Sequence, residues 1–325
     1  MKTFSYLSKI NKSQKEMKKL SVSLIQSIKF SYEQNESSIK FDEFYFNGIP
    51  IPKNIEFKNK SYDTLDLIWK IDDLNIINLK KEDIKYLVEM REENKKYKQV
   101  YEGNNSKISI DNLCPNANYE FRICGVYKGI KGLWSQTEKI KTNEFDSLIL
   151  KDSPRKFEFL QKMKEWSGYK KMELLYRGTR DGMNSQNFHN KCDNKGPNYV
   201  LIQNNKENIF GGFSSISWQS NGGYKNVPEC FIFTLTNIYN IEPTKFPSNN
   251  SGNNVYHGGS YGPLFGNECD FYIYSNFGNN NYSASIFPRS YQDILGKGKS
   301  IFTGDFNNNN NKFYIKEMEV FKLYN

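Results

Sequence analysis

The spacing of apolar residues predicts a short helical segment followed by a much longer region of strands. Within residues 11–33 the apolar side chains recur every three or four positions, and lysines occupy the remaining faces. This period predicts an amphipathic helix near the start of the chain. It contains fewer than three clean heptads, which leaves two interpretations open: a surface helix that docks on its own protein, or a short coiled coil that supports weak self-association.

From residue 49 onward the period changes to alternation, which is typical of strands with one buried face. Residues 64–71, 85–91 and 119–123 alternate apolar and polar side chains, and clusters of Asp, Asn, Gly and Pro separate them. Such short, punctuated strands predict an antiparallel β-sandwich of roughly a hundred residues. We place this domain at residues 47–143, so that residues 1–46 form the N-terminal helix and a linker.

Residues 145–325 mix helices with many short strands. We expect a first strand at residues 148–150 and then a helix through Trp166, with Ser153 as its N-cap and Pro154 at its first position. A second helix is predicted from about residue 184 to residue 194. The remaining predicted strands are residues 174–176, 199–203, 209–218, 230–235, 270–274 and 313–321. The whole chain is therefore predicted to be mainly β, with peripheral helices.

Residues 47–143 resemble a fibronectin type III domain. The features that carry the resemblance are, in order, Pro50, Pro52, Trp69, the strand at residues 86–91, the run at residues 113–119, Gly132-Leu133-Trp134-Ser135 and Thr142. The resemblance implies that Trp69 fills the core between two sheets and that the Tyr119 hydroxyl binds backbone near Leu113. Trp134 is expected to be structural as well. Such a module spaces, orients or binds, and brings no reaction of its own.

The C-terminal region resembles the TLDc domain from Ser147 to the end of the chain. The motifs are, in order, Arg177-Gly178-Thr179-Arg180-Asp181-Gly182, residues 188–197, Phe210-Gly211-Gly212-Phe213 with Trp218, residues 262–266, and residues 315–320 with Glu317 and Glu319. This resemblance implies a second β-sandwich, with Gly178, Gly182, Gly211, Gly212 and Trp218 as structural residues. It also implies a link to oxidative-stress resistance and binding to the vacuolar proton-pumping ATPase, without an established reaction.

The distribution of charged and apolar residues along the chain excludes several classes of protein. The net charge of +9 is spread evenly, because residues 1–46, 47–143 and 144–325 each carry +3. A nucleic-acid-binding domain concentrates its positive charge, so we expect no specific nucleic-acid binding. No stretch approaches the roughly 18 apolar residues of a membrane span, and no signal peptide is evident. We expect a cytoplasmic protein, and the TLDc resemblance adds a peripheral association with endolysosomal or vacuolar membranes.

Residues that could carry chemistry are few. The five cysteines show no CxxC spacing, which argues against a disulfide framework or a structural zinc site. Residues 258–262 match a GxSxG nucleophile pattern, but no helix is expected after them, and both histidines precede the serine. Residues 298–300 resemble the end of a phosphate-binding loop that lacks its partner glycine. We predict no metal and no cofactor.

His189 and Cys192 are the weak catalytic candidates. Together with Asp193 they lie within one predicted helical turn and offer two metal ligands, where a closed zinc site needs about four. A redox role for Cys192 would require a lowered pKa and a nearby cation such as Lys191 or Lys195. The structural alternative has His189 hydrogen-bonded to a neighbouring strand and Cys192 packed in the core.

Arg177, Arg180, Asp181 and Asp193 are the candidate binding residues. In the turn at residues 177–182 the two arginines can hold carboxylates bidentately, either within the protein or on an acidic partner. The leading interpretation of the whole chain is a non-enzymatic adaptor, with the vacuolar ATPase as partner class. The alternatives are a stress-related enzyme or redox protein that uses Cys192 or His189, and an oligomeric scaffold built through the N-terminal helix.

Overall fold

A computed structural model describes residues 49–71, 83–249, 252–278, 282–307 and 309–325. The predicted helix at residues 11–33 lies outside the described residues. The chain divides into two compact units between Phe145 and Asp146, and we call them the N-terminal unit and the C-terminal unit. No helix in the described ranges is long and apolar enough to cross a membrane.

Two antiparallel sheets form the N-terminal unit. One sheet contains β1 (Lys53–Lys58), β2 (Leu65–Lys70) and β5 (Lys107–Ile110), in the order β1-β2-β5. The other contains β3 (Lys85–Glu92), β4 (Lys98–Gly103), β6 (Asn118–Tyr127), β7 (Ile130–Lys131) and β8 (Glu138–Lys141), with β6 paired to β3, β7 and β8. Three strands facing a larger sheet in this order form a fibronectin type III sandwich.

Aromatic residues hold this sandwich together. Trp69 is 1% exposed and meets Tyr86 edge to face, with their rings 5.4 Å apart. The Tyr119 hydroxyl accepts a hydrogen bond from the Cys114 N–H at 2.7 Å, which is the contact expected of a tyrosine corner. Trp134 stacks on the Arg122 guanidinium at 4.4 Å, so its ring covers the outer side of the sheet rather than the core.

The described residues of the C-terminal unit form four short helices and eleven strands. The helices are α1 (Lys156–Ser167), α2 (Gly178–Asp181), α3 (Ser185–Cys192) and α4 (Ser300–Thr303). The strands are β9 (Lys171–Arg177), β10 (Asn198–Asn204), β11 (Ile209–Ser214), β12 (Asn221–Lys225), β13 (Cys230–Thr236), β14 (Thr244–Pro247), β15 (Val255–Gly258), β16 (Leu264–Phe265), β17 (Phe271–Tyr272), β18 (Tyr282–Ala284) and β19 (Lys312–Tyr324).

One long strand, β19, belongs to both halves of this unit. Its first residues pair with β18, and its later residues lie between β9 and β10. The sheet runs in the order β12-β15-β16-β17-β18-β19-β10-β11-β13-β14 and folds so that the inner faces of its two halves share one core. In that core Phe210 meets Phe271, with their rings 5.8 Å apart.

Helix α1 covers the outer face of the β10-β11-β13 half. The Tyr199 hydroxyl donates to the Met163 carbonyl at 2.6 Å, and the Trp166 ring lies 5.8 Å from that of Phe233. Phe159 and Leu160 of the same helix are buried. The apolar stripe predicted for this helix therefore packs on aromatic side chains of the sheet.

The structure differs from the predicted elements in four places. Residues 148–150 form a turn instead of a strand, because the Ser147 hydroxyl accepts from the Leu150 N–H and so closes the backbone on itself. Helix α1 begins at Lys156 with Arg155 as its N-cap, so neither Ser153 nor Pro154 has its predicted role. The strand predicted at residues 209–218 ends at Ser214. The turn at residues 177–182 contains the one-turn helix α2.

Candidate functional site

Arg177 at the end of β9 binds two carboxylates of its own unit. Its Nε donates to Glu319 Oε1 and its Nη2 donates to Asp146 Oδ1, both at 2.7 Å. The Glu319 side chain is 0% exposed and also accepts from Ser147 Oγ at 2.5 Å and from the Leu148 N–H at 2.8 Å. Burial raises the pKa of Glu319, while these hydrogen bonds act in the opposite direction. Arg177 thus joins residues 146–148 to the central strand β19.

The rest of the motif in α2 is also paired internally. Glu317 on β19 accepts hydrogen bonds from the Thr179 hydroxyl and from the Thr179 N–H, the latter at 3.2 Å. Asp181 binds Arg180 Nη2 at 2.7 Å, and this ion pair holds the pKa of Asp181 below its ordinary value. The Arg180 side chain remains 44% exposed, whereas that of Asp181 is 8% exposed. Arg180 is therefore the charged member of this turn that a partner could reach.

The four glycines of the sequence motifs occupy positions where a side chain would come too close to a neighbour. A Cβ on Gly178 would lie 3.0 Å from Glu317 Oε1, and Gly182, with φ of +99°, would bring one to 2.3 Å from Asn187. The other two are next to each other on β11. A Cβ on Gly211 would lie 1.8 Å from the Val200 carbonyl oxygen, and one on Gly212 would lie 2.4 Å from the Phe265 ring.

His189 on α3 is buried and holds the loop after β15 in place through hydrogen bonds. We call this arrangement the clamp. His189 Nδ1 lies 2.7 Å from Asp193 Oδ1, and its Nε2 lies 2.9 Å from the Tyr261 carbonyl oxygen and 3.2 Å from that of Gly258. The Ser220 hydroxyl donates to Asp193 Oδ2 at 2.5 Å. Because Nε2 donates its proton to a carbonyl, it has no lone pair with which to act as a base. The carboxylate lies between imidazole and hydroxyl, whereas a catalytic triad has the imidazole in the middle.

His257 on β15 is buried close to this clamp. It is 1% exposed, its ring lies 5.6 Å from that of Trp218, and neither ring nitrogen has a hydrogen-bond partner among the described residues. Trp218 is itself buried and donates from Nε1 to Asn198 Oδ1 at 2.7 Å. Burial, with a smaller contribution from Lys225, lowers the pKa of His257 to about 4.

We expect His257 to make the C-terminal unit sensitive to mild acid. The unfolded chain takes up the proton near the ordinary pKa of 6.5, but the folded chain does so only near 4. The contribution of His257 to stability is therefore lost as the pH falls between these values, by up to about 3 kcal/mol, while Asp270, whose pKa burial raises to about 6, acts in the opposite direction. Urea unfolding of the wild type and of His257→Leu at several pH values, followed through tryptophan fluorescence, isolates the loss as the difference between their pH dependences.

A control for this experiment is Asp66→Asn in the N-terminal unit. Hydrogen bonds from Ser109, Lys107 and Asn59 lower the pKa of Asp66 to about 2, so its contribution to stability is present above pH 3.8 and disappears only as the pH falls towards 2. The slope between pH 6.5 and 4 should not change in this variant. A His257→Leu slope equal to that of the wild type would contradict the assignment.

The buried cysteines lack the environment of reactive thiols. Cys192 is 1% exposed, and burial raises its pKa well above the ordinary value. The redox interpretation needed a lowered pKa, so the geometry opposes it. Burial also raises the pKa of Cys124 to about 11 and that of Cys230 to about 12. Cys230 Sγ lies 2.9 Å from the Tyr291 hydroxyl, inside the core.

Thiol labelling of the native protein checks these environments. We expect iodoacetamide at neutral pH to modify Cys114 first and Cys269 more slowly, because both are partly exposed and burial raises the pKa of Cys269. Cys192, Cys124 and Cys230 should react only after unfolding. Peptide mass spectrometry gives the order in which the cysteines react. Rapid labelling of Cys192 in the native protein would support the redox alternative.

Of the two sequence motifs of doubtful function, residues 258–262 lie in the turn after β15 and residues 298–300 lie at the start of α4. Residues 258–262 leave β15 and enter β16 through a turn, with the Tyr261 N–H bonded to the Gly258 carbonyl at 3.0 Å, so no helix follows the serine. At residues 298–300 the Gly298 N–H donates to Asp293 Oδ2 at 2.6 Å. Within the described ranges, His, Cys, Asp and Glu side chains form no group of three or more that could hold a metal ion.

A row of tyrosines whose side chains are exposed at its two ends and partly exposed between them is the feature that sequence analysis missed. Tyr224, Tyr256, Tyr272, Tyr282 and Tyr314 share the outer face of the β12-β15-β16-β17-β18-β19 half, and we call this the tyrosine face. Register places Tyr224 opposite Tyr256 and Tyr282 opposite Tyr314. Tyr224 is 38% exposed and Tyr314 is 41% exposed. The neighbouring phenylalanines on the same strands, such as Phe313, point into the core.

Tilted and edge-to-face contacts order the rings of this face. The Tyr224 and Tyr256 rings lie 4.8 Å apart, and Tyr274 bridges Tyr272 and Tyr282 at 5.0 and 5.6 Å. The Tyr224 hydroxyl donates to the Asn267 carbonyl at 2.8 Å. Ordered aromatic side chains with polar tips lose little conformational entropy on binding, which is why tyrosine is enriched in protein interfaces.

The chain is similar to part of a known protein. A zebrafish (Danio rerio) protein, MTOR-associated protein MEAK7, is 31% identical over 62 residues, which are 19% of this chain and 14% of the relative. The match thus covers a small part of that protein.

Solved fibronectin type III domains are also similar to this chain. A domain of human fibronectin type III domain containing protein 3 is 20% identical and covers 36% of this chain and 97% of its own, with a TM-score of 0.28. A domain of human collagen XX is 18% identical and covers 29% of this chain and 92% of its own, with a TM-score of 0.24. The TLDc domain family matches residues 143–324, which is more than half of the chain. The protein therefore belongs to the TLDc domain family.

Proposed function

We propose that this protein is a non-enzymatic interaction protein that binds a partner through the tyrosine face. The observation that carries the proposal is the contrast between two sets of side chains. The side chains of Arg177, Glu319, His189 and Asp193 are paired with groups inside their own unit, whereas Tyr224 and Tyr314 on the outer sheet face are exposed to solvent. Paired polar groups hold a fold together, and exposed ordered aromatics are the usual anchors of binding energy.

The partner class that we propose is the vacuolar proton-pumping ATPase, which the TLDc resemblance implies. The name of the zebrafish relative associates that protein with MTOR, so MTOR is a second protein to probe for. Arg180 is the proposed polar contribution to such a contact, since its guanidinium is partly exposed. We propose a cytoplasmic location for this activity.

A pulldown with the full chain tests the proposal. The wild type should recover vacuolar ATPase subunits from a detergent-cleared lysate, and a Tyr224→Ser, Tyr314→Ser double variant should recover at least tenfold less. Tyr324→Ser is the matched control, because Tyr324 is 38% exposed at the other end of the strand that carries Tyr314. Equal recovery by all three proteins, or none by the wild type, would refute the assignment.

The oxidative-stress link of the family is compatible with this function without a reaction at Cys192 or His189. If protection against peroxide is mediated by a partner, it should survive Cys192→Ser and be lost in the tyrosine double variant. A protective effect that depends on Cys192, in a variant that still folds, would favour the enzymatic alternative instead.

A further inference from the structure

Two loops beside α4 present the most exposed large apolar side chains of the described chain. Phe306 is 66% exposed and Ile294 is 57% exposed. Neither belongs to the tyrosine face. The Phe306 ring meets Tyr239 edge to face at 5.4 Å, and the Tyr239 hydroxyl lies 2.8 Å from Ser300 Oγ at the start of α4. Phe306 therefore projects from an ordered base. We use the name loop cluster for Ile294, Phe306 and three lysines that lie on these loops or beside Gly304 at the end of α4.

The lysines of the loop cluster are Lys206, Lys297 and Lys299. Lys297 Nζ lies 4.8 Å from the centre of the Tyr239 ring. Lys206 lies beside Gly304, because a Cβ added to Gly304 would be 3.0 Å from the Cβ of Lys206. Lys299 donates to the Asn311 side chain. None of the three forms a salt bridge with an acid in the part of the chain that the structure describes.

The acidic side chains on or near these loops either accept hydrogen bonds from backbone N–H groups or pair with a lysine outside the loop cluster. Asp293 accepts from the Gly298 N–H at 2.6 Å, and Asp305 accepts from the Asn310 N–H at 2.8 Å. Glu207 is paired with Lys316 at 2.8 Å. The three lysines of the loop cluster therefore outnumber these two aspartates, which leaves a positive charge on the loops that carry the exposed side chains of Phe306 and Ile294.

We propose that the loop cluster docks the protein on an anionic membrane surface. Phe306 and Ile294 enter the boundary between headgroups and acyl chains, and the three lysines bind lipid phosphates and carboxylates. Apolar side chains flanked by lysines are the combination that binds peripheral proteins to anionic bilayers, where each lysine near the surface contributes about 1 kcal/mol. Tyr239 suits the headgroup level, because tyrosine has an apolar ring and a polar tip.

Vesicle cosedimentation of the full chain tests this proposal. The wild type should bind vesicles of phosphatidylcholine with about 30% phosphatidylserine and bind pure phosphatidylcholine weakly. Phe306→Ser should lower the partition coefficient about tenfold, and Lys297→Ala and Lys299→Ala about fivefold each. Ile130→Ser is the matched control, because Ile130 is 54% exposed in the N-terminal unit; it should bind like the wild type.

Phe306→Trp gives a second measurement that does not depend on affinity. Its tryptophan emission should shift to the blue when phosphatidylserine vesicles are added. An unshifted emission, or equal vesicle binding by Phe306→Ser and the wild type, would overturn the proposal and assign any binding to the lysine-rich residues 1–46. A wild-type dimer that dissociates in Phe306→Ser without binding vesicles would overturn it as well. The pulldown of the tyrosine face is run without membranes, so the two proposals fail independently.

Discussion

Arg177→Ala is expected to lower the free energy of unfolding of the C-terminal unit by about 3–5 kcal/mol. The reason is the Glu319 carboxylate, which has no exposed area and depends on Arg177 Nε at 2.7 Å for its charge balance. Removing the guanidinium leaves a buried negative charge with only the Ser147 and Leu148 donors. Urea unfolding of the full chain, followed by tryptophan fluorescence and circular dichroism, measures the loss.

Arg180→Ala is the matched control for this prediction. Arg180 also pairs with a carboxylate in the same motif, but its side chain is 44% exposed, so its loss should cost less than about 1 kcal/mol. Adding Glu319→Gln to Arg177→Ala should recover part of the stability, because it removes the uncompensated charge. If Arg177→Ala unfolds no more easily than Arg180→Ala, the ion pair is not the structural element that we describe.

Gly211→Ala is expected to destabilise the same unit by more than about 3 kcal/mol and to lower the yield of soluble protein. A methyl group there would lie 1.8 Å from the Val200 carbonyl oxygen on the neighbouring strand. This neighbour is backbone, so the pairing of β10 with β11 must open to make room, which exceeds the usual cost of overpacking. Soluble yield and thermal unfolding of the purified variant measure the effect.

The comparison variant for Gly211 is Gly259→Ala. Its methyl group would meet Ser220 Cβ at 3.3 Å, a contact that a small adjustment of an exposed loop relieves. We expect a change within about 0.5 kcal/mol. Tolerance of alanine at Gly211, with β10 and β11 still paired, would show that this close approach is not obligatory.

Sequence pattern predicts much of the architecture because both units obey simple periodicity in their longer elements. The alternation at residues 64–71 and 85–91 corresponds to β2 and β3, and the apolar stripe before Trp166 corresponds to α1. Residues 148–150 are apolar throughout, which suggested a strand. In the structure, Ser147 and the Glu319 carboxylate 172 residues away hold that backbone in a turn, a contact that no local pattern contains.

The candidate site was harder to predict than the fold. His189 and Asp193 are four residues apart, and this spacing predicts their contact on one helix. The Tyr261 carbonyl that accepts a hydrogen bond from His189 Nε2 is 72 residues away from His189 in the sequence. The role of His189 as a clamp could therefore not be deduced. The tyrosine face escaped notice for another reason. Pairs such as Phe271-Tyr272 and Phe313-Tyr314 place an aromatic ring on each side of the sheet, which conceals the difference between buried and exposed positions.

The position of β19 has a consequence for synthesis of the protein. This strand supplies Glu317 and Glu319 and lies between β9 and β10, yet it is the last element of its unit along the chain. While the ribosome is still extending the chain, β9 and β10 have no strand to separate them and Arg177 has no carboxylate on β19. The C-terminal unit therefore completes its fold only after residues 312–324 leave the exit tunnel, and a nascent chain paused before them exposes unpaired strand edges to chaperones.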